Sequence, residues 1–374
     1  MPRNLVVKTN RFLSMKKLLK EVVFVLVLLL SSVATLASEK SDSSNQDEEF
    51  NSVQMIMHHI SDAHDFHFFD YTDQDGVHPV SLSLPIILFT DLGIVTFMSN
   101  KFHHDTSGKV VVIKNGERFV NYHEKIYKLN TGESSIVLDA HHHPLNAVKP
   151  WDLSITKNVF SMLISVVLLL FLFGAAGRSA KKHPGSPRGL LSFLEPIVVF
   201  IREDIIIPNV GEKKYKPYLP YLVSVFFFIF FNNLLGLIPG GANVTGNIAV
   251  TLVLSVFTML VTNFSANKEY WRHIFLPPVP KALYPIMVPI EVIGIITKPF
   301  ALMIRLFANI TAGHIIILSL ISLIFVFKSL LIAPVSVGFV LFMNTLELLV
   351  ALLQAYIFTL LSALFIGQAI QEHH

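Results

Sequence analysis

Apolar runs dominate the second half of the chain. They fall at roughly 155 to 176, 219 to 238, 246 to 264, and then in a very long stretch interrupted near Lys328 to Pro334. About 20 apolar residues suffice for a helix to cross a ~30 Å hydrocarbon core, so the pattern predicts an all-α polytopic membrane protein with about five membrane helices. Between the first two runs, residues 190 to 208 alternate apolar side chains with Glu195, Arg202, Glu203 and Asp204. That alternation predicts an amphipathic helix lying in the membrane interface. The last two helices exceed a simple crossing. Residues 283 to 327 would span about 67 Å and residues 332 to 370 about 58 Å, each about twice the hydrocarbon thickness. Such helices tilt steeply, lie along the bilayer or break. Pro285, Pro289 and Pro299 permit bends in the first, because each removes a backbone donor and crowds the preceding turn. The expectation is a long, steeply inclined helical hairpin.

The first 150 residues read differently. Six basic residues before position 21, an apolar run from Val22 to Leu30 and small residues through Ala34, Ala37 and Ser38 have the layout of a secretory signal, assigned here to residues 1–37 with cleavage near Ala37. Nine helical residues reach only about 13.5 Å, too short for an anchor. A retained helix extended through Leu36 is the alternative, and either way residues 38–150 lie outside the cytoplasm. Ser38 to Phe50 is acidic and aperiodic, which predicts disorder. Strand patterns follow at 80 to 89 and 93 to 100. Asn115-Gly116 then sits between two β-branched and aromatic runs, a hairpin signal because a type I′ turn needs positive φ at both central residues. The segment is thus a small β-rich extramembrane domain, followed by a membrane domain over residues 151–374.

Charge sharpens the division. Residues 38 to 150 hold 8 Lys and Arg against 16 Asp and Glu, whereas residues 151 to 374 hold 15 against 9, within a chain of net charge +3. Basic clusters follow the first apolar run (Arg178, Lys181, Lys182, Arg188) and the third (Lys268, Arg272, Lys281), and the turn from Pro239 to Asn247 is uncharged. The positive-inside rule assigns the basic loops to the cytoplasm. Cysteine is absent, which excludes disulfide scaffolds, thiolate metal sites and cysteine nucleophiles. Eleven of the sixteen histidines lie in the outer segment, among them His58, His59, His64, His67, His103, His104 and His141 to His143. His64 and His67 could share a helical face, yet no spacing reproduces a recognised ligand set, and solvated surface histidines are the expectation over a metal site.

Inside the membrane domain, charge is sparse. No Asp, Glu, Lys or Arg occurs between Leu219 and Asn267. In the long hairpin, Glu291, Lys298 and Arg305 follow one another at intervals of seven, which leaves them 20° apart per step and on one helical face, with Asn309 one turn beyond. His314 is 900° of rotation from Arg305 and points the opposite way. Glu347 and Gln354 share a face of the last helix. An arginine at mid-bilayer costs about 2.5–3.5 kcal/mol on insertion scales and is rarely placed there without a partner or water. For Glu291 and Lys298, snorkelling toward the cytoplasmic surface competes with a water-filled vestibule. For Arg305 the plain alternative is a structural ion pair with Glu347 or another carboxylate. For His314 and Glu347 it is a satisfied polar contact, against a proton relay between two groups able to titrate near neutrality.

The segment Arg305-Leu-Phe-Ala-Asn309-Ile-Thr-Ala-Gly-His314 resembles the signature of subunit a of the F-type ATP synthase membrane sector. Four further stretches agree in order and spacing: Glu291 to Pro299, Asn232-Asn-Leu-Leu-Gly-Leu-Ile-Pro-Gly240, Asn243-Val-Thr-Gly-Asn247 and Leu353-Gln-Ala-Tyr-Ile-Phe358. The resemblance covers about residues 150 to 374 and leaves the outer segment unassigned. It implies a non-catalytic stator subunit with two aqueous half-channels leading to a rotating c-ring. Arg305 would separate the half-channels, and Glu291, Lys298, Asn309, His314, Glu347 and Gln354 would serve proton translocation. The acid and histidine sit interchanged relative to many bacterial members. Asn232, Asn233, Asn243 and Asn247 are candidate channel-lining groups. The implied partners are the c-ring, peripheral-stalk b subunits, the lipid bilayer and protons; neither cofactor nor nucleic acid is implied. No Gly-rich phosphate loop is present, so chemistry on ATP belongs elsewhere. Two rivals remain: a stand-alone secondary transporter or channel in which Arg305 binds an anion, for which no pseudo-repeat is visible, and a membrane-anchored metal-capturing module, which leaves Arg305 unexplained.

Overall fold

The computed structural model describes residues 61–371 apart from 74–75, 131, 134, 140, 142, 183–188, 239–240 and 328–331. The expected signal, the acidic stretch to Phe50, and His58, His59 and His142 lie outside the described residues.

Nine strands build the outer domain: β1 (Asp65–Asp73), β2 (Gly76–Ser83), β3 (Pro85–Thr90), β4 (Gly93–Met98), β5 (Ser107–Lys114), β6 (Glu117–Tyr122), β7 (Lys125–Leu129), β8 (Ala147–Val148) and β9 (Trp151–Asp152). They form an antiparallel β1–β2 ribbon, a sheet ordered β4-β3-β9 and a sheet ordered β5-β6-β7-β8. The period-two alternation of β3 and β4 turns Ile86, Leu88, Val95 and Phe97 inward. There they meet Phe102, Val112, Phe119 and Ile126, so two sheets share one apolar interior. The single strand expected over 80 to 89 is divided. Leu84 leaves the first sheet because Ser99 takes both of its backbone groups: the Leu84 amide donates to the Ser99 hydroxyl (3.1 Å), and the Ser99 amide donates to the Leu84 carbonyl (3.0 Å). Asn115 and Gly116 join β5 to β6 with φ of 51° and 80°, as their turn chemistry predicted.

Residues beyond position 150 still belong to this domain. Trp151 and Asp152 pair with Phe89 and Leu88, and the chain continues beside β3 as the Leu153 and Ile155 amides donate to the Ile87 and Pro85 carbonyls. Asp62 then ties the outer domain to the head of α1 (Lys157–Lys182). One carboxylate oxygen accepts from the Thr156 hydroxyl and the other from the Asn158 amide, each at 3.0 Å. That is an N-cap supplied by a residue 96 positions away.

After α1 come α2 (Leu190–Phe200), a π-helical stretch over Ile201–Ile206 and α3 (Ile207–Val210). The expected interfacial helix is therefore wound in two pitches. The wider i→i+5 bonding brings Ile201, Ile205 and Ile206 together as fully buried residues, while Glu203 and Asp204 stay exposed. The remaining helices are α4 (Leu219–Gly236), α5 (Ile248–Ser265), α6 (Lys268–Phe275), α7 (Tyr284–Phe327) and α8 (Ile332–Ile370). Asn247 caps α5 by accepting from the Ala249 amide at 2.9 Å. At the far end of α8, Lys214 and Asn267 satisfy the terminal carbonyls of Ala369 and Ile370.

Five described helices, α1, α4, α5, α7 and α8, are long and apolar enough to cross a membrane. Their packed interior joins Leu222, Phe226, Phe227 and Ile229 of α4 to the buried isoleucines of the π-helical stretch. Leu302 and Leu306 of α7 and Ala355, Phe358 and Ile366 of α8 complete it. Gly367 lets α8 approach the Asn209 carbonyl, a place a Cβ would occupy. The long hairpin is antiparallel, with α7 running unbroken through Pro289 and Pro299.

Within the outer domain, Asp152 Oδ2 lies 3.2 Å from Nε2 of buried His64. Burial alone would raise the Asp152 carboxyl, but the contact with His64 and the hydrogen bonds from Ser154 outweigh it and lower the pKa from 3.8 to about 2. The depressed value means that this group supports folding fully above about pH 4 and loses that contribution as pH falls through about 2. Replacing Asp152 with Asn should flatten the acid limb of the melting temperature in that window and leave neutral-pH melting lower than wild type; an unchanged acid limb would show that the contact carries no proton linkage.

Candidate functional site

The register of the hairpin fixes the height of each polar group. Toward the tip, the Ser336 hydroxyl donates to the Leu320 carbonyl; toward the other end, Lys298 Nζ donates to Gln368 Oε1 at 3.3 Å. Between them, Glu347 of α8 lies against Gly313 of α7, where a Cβ would collide with the carboxylate. Arg305 is eight residues below Gly313, about 12 Å along the axis, level with the turn holding Gln354.

Arg305 is exposed. It makes no ion pair and no hydrogen bond with any described residue, which excludes the ion pair with Glu347 weighed from sequence. Its surroundings on the same exposed stripe are Ala301, Ile304, Ala308, Asn309 and Ala312, mostly small side chains that leave the guanidinium accessible from the side. His314 turns the other way, as its rotation predicted, and its Nε2 comes near Gly236 at the end of α4. Glu347 is 8% exposed, and its Oε1 is buried without a hydrogen-bond partner. His314 and Glu347 therefore occupy one region without a direct hydrogen bond between them. Gln354 is buried, Glu291 and Lys298 are half-buried, and Lys298 also lies 5.4 Å from the Phe365 ring.

The four asparagines hold the helices around this region. Asn232 Oδ1 accepts from the Ser165 hydroxyl (2.9 Å), linking α4 to α1. Asn233 Nδ2 donates to the Ala351 carbonyl (3.3 Å), and its oxygen accepts from Thr245 (2.6 Å), linking α4 to α8 and to the following turn. Asn243 shapes that turn through the Gly246 amide. Asn247 caps α5 and reaches Asp62 at 3.5 Å.

In the membrane domain, the buried polar atoms without partners among the described residues divide into two groups about the height of Arg305. On the hairpin-tip side are Glu347 Oε1, Thr311 Oγ1 and Asn243 Nδ2. On the opposite side are Thr262 Oγ1 of α5 and Thr359 Oγ1 and Ser362 Oγ of α8. Such atoms are ordinarily satisfied by water. Thr262 of the second group lines a small open cleft together with Ser255, Thr258, Tyr270, Lys298 and Leu302. α5 presents Thr251, Ser255, Thr258 and Thr262 as a buried hydroxyl stripe. Its spacing of four, three and four is helical and was available in the sequence, whereas Gly236 and Gly313 gain meaning only from the side chains that fold against them.

Comparison with known proteins identifies two matched regions of the chain. Residues 159–367 match the family described as ATP synthase A chain, and residues 55–153 match a domain of unknown function, DUF8433. ATP synthase subunit a of Chloroherpeton thalassium is 49% identical over 240 residues, covering 62% of this chain and 72% of the relative. ATP synthase subunit a 2 of Chlorobaculum tepidum is 52% identical over 236 residues, covering 61% and 66%, and ATP synthase subunit a of an Anaeromyxobacter strain is 46% identical over 252 residues, covering 63% and 61%. The chain thus spans about two thirds of the length of these relatives.

The two glycines make a paired test. Gly313→Ala places a methyl group where the Glu347 carboxylate lies, and displacing a buried carboxylate should cost about 1–3 kcal/mol and most of the assembled subunit. Gly236→Ala meets only the Ala242 carbonyl at 3.4 Å and His314 Nε2 at 3.8 Å, so it should assemble near the wild-type level. Equal assembly of both variants would deny the close approach of Glu347 to α7.

Proposed function

The chain belongs to the ATP synthase A chain family, and we propose that it is the proton-translocating stator subunit of an F-type ATP synthase, with Arg305 as the group that separates two aqueous half-channels. The observation that carries this reading is an arginine on the exposed face of an apolar hairpin with no partner among the described residues. A guanidinium at membrane depth needs an opposite charge or water, and the described residues present neither an ion pair nor a hydrogen bond to it. A carboxylate arriving on a second polypeptide meets the requirement. The small residues beside Arg305 leave room for a helix of a c-ring to pass within reach.

The two groups of orphaned polar atoms support a path broken at Arg305. Glu347, His314 and Thr311 form the part toward the hairpin tip; the cleft beside Lys298, Tyr270 and Thr262 forms the part toward the basic loops, assigned to the cytoplasm. A proton entering from one side would load a rotor carboxylate, travel with the ring and leave on the other. Arg305 suits the boundary because a guanidinium keeps its proton at any physiological pH. It blocks transfer along the protein while favouring the ionised rotor acid beside it. Each charge crossing 100 mV supplies about 2.3 kcal/mol, so several must pass for each phosphate bond formed by other subunits. The 44 residues of α7, about 66 Å of helix, fit a single bilayer when steeply inclined, which lays the hairpin along the curved side of a ring. Residues 61–153 lie on the outer face of the membrane in this arrangement.

Arg305→Ala should abolish proton-driven ATP synthesis in reconstituted vesicles while the complex still assembles with its ring, and normal synthesis by that variant would refute the assignment. Glu347→Gln should assemble and conduct protons about tenfold or more slowly, in line with loss of a single proton-transfer group. An undiminished rate would return Glu347 to a structural role.

A further inference from the structure

The outer domain meets the membrane helices through ionisable groups. The β6–β7 turn consists of His123 and Glu124, both with positive φ (48° and 58°), a conformation that suits Gly, Asn, Asp and His better than it suits a glutamate. This turn carries Glu124 inward beside Asn121, where it lies within electrostatic range of Asp65, His64 and Lys157. Lys157, the first residue of α1, is in turn surrounded by Asp62, Asp65 and Glu124, with its ammonium 5.8 Å from the Phe66 ring. His104 Nδ1 lies 2.6 Å from Asp65, and Asp62 holds the heads of α1 and α5. The same ammonium is within electrostatic range of His314, a residue of the membrane path. One continuous set of charges thus leads from a loop of the β-domain to the tip-side polar region.

We propose that the outer domain forms the external port of the proton path, with Glu124 as its proton-exchanging residue and Lys157, Asp62 and Asp65 as the groups that position it. This rests on the stator reading above. The Glu124 carboxylate takes a proton from hydronium and leaves water; it then returns the proton to a water on the membrane side, which carries it toward His314. Three carboxylates around one ammonium leave the port net negative, which concentrates hydronium at its mouth. Burial, aided by the neighbouring charge of Asp65, moves the Glu124 carboxyl above the usual carboxylate range, so it exchanges protons closer to neutrality than a surface acid does. The backbone at this φ favours Gly or Asn over glutamate, so the turn geometry itself does not call for the carboxyl.

The test uses the intact complex in proteoliposomes, with ATP synthesis per assembled complex measured against pH on the outer-domain side. Glu124→Asn suits the turn at least as well as glutamate, and it should lose about tenfold in rate near pH 8, where hydronium is scarce, and much less near pH 6. Glu124→Asp, which restores a carboxyl, should recover most of the rate. Superimposable wild-type and Asn profiles would overturn the port, as would an Asp variant as slow as the Asn variant. Loss of synthesis by Arg305→Ala alongside an unaffected Glu124→Asn would strike the port and leave the stator reading standing; normal synthesis by Arg305→Ala would strike the latter.

Discussion

A cation that cannot lose its proton, held against an apolar surface without a counter-charge among the described residues, sets the terms for the rest of this molecule. Arg305 could have been neutralised internally by moving Glu347 two turns along α8. Instead the acid is folded against Gly313, about 12 Å away along the hairpin, where it has no hydrogen-bond partner for one of its oxygens. Both charges are left incompletely satisfied. Stability alone disfavours such an arrangement, since an unpaired buried polar group commonly costs about 1–3 kcal/mol. The cost is intelligible when each group has a transient partner, a rotor acid for one and moving protons for the other.

Packing around the hairpin is arranged to tolerate these two demands. The inner faces of α7 and α8 are fixed by Leu302, Leu306, Ala355 and Phe358 against α4 and the π-helical isoleucines, while the outer stripe around Arg305 is left to small side chains. Asn232 and Asn233 bind the helices to one another by hydrogen bonds that survive in an apolar medium, which leaves α4 with a firm hold on α1 and α8 without any ionisable group. The hydroxyls of α5 face the same interior and add polarity without adding charge.

Much of this was legible in sequence because membrane length and helical rotation are strong constraints. Five apolar runs gave five helices with ends within a few residues, and nine residues of helix sufficed to turn His314 away from Arg305. The Asn115-Gly116 turn was equally plain. What escaped notice depends on contacts between distant positions. Asp62 caps a helix that begins 95 residues later, and nothing in its neighbours announces it. The division of residues 80 to 89 into two strands follows from Ser99, and the π-helical winding follows from three isoleucines having one buried face to share. His123 and Glu124 lack the residues that mark a tight hairpin, so a pattern search passes over them. In the candidate site the charged residues were all apparent, but their height relative to one another was not, because Gly313, where α8 lies close to α7 through Glu347, has a small size that carries no signal until that neighbour is placed.

The attachment of the outer domain also explains how a subunit can carry a second folded unit without hindering a moving partner. Its hydrogen bonds go to the head of α1 and, through Asn247, to the head of α5. Neither helix contributes to the exposed stripe of α7 that bears Arg305. A β-domain fixed to the hairpin itself would couple its own motion to the register that keeps Glu347 apart from Arg305. Fixed where it is, the domain lies beside the heads of α1 and α5 while the stripe of α7 around Arg305 stays exposed.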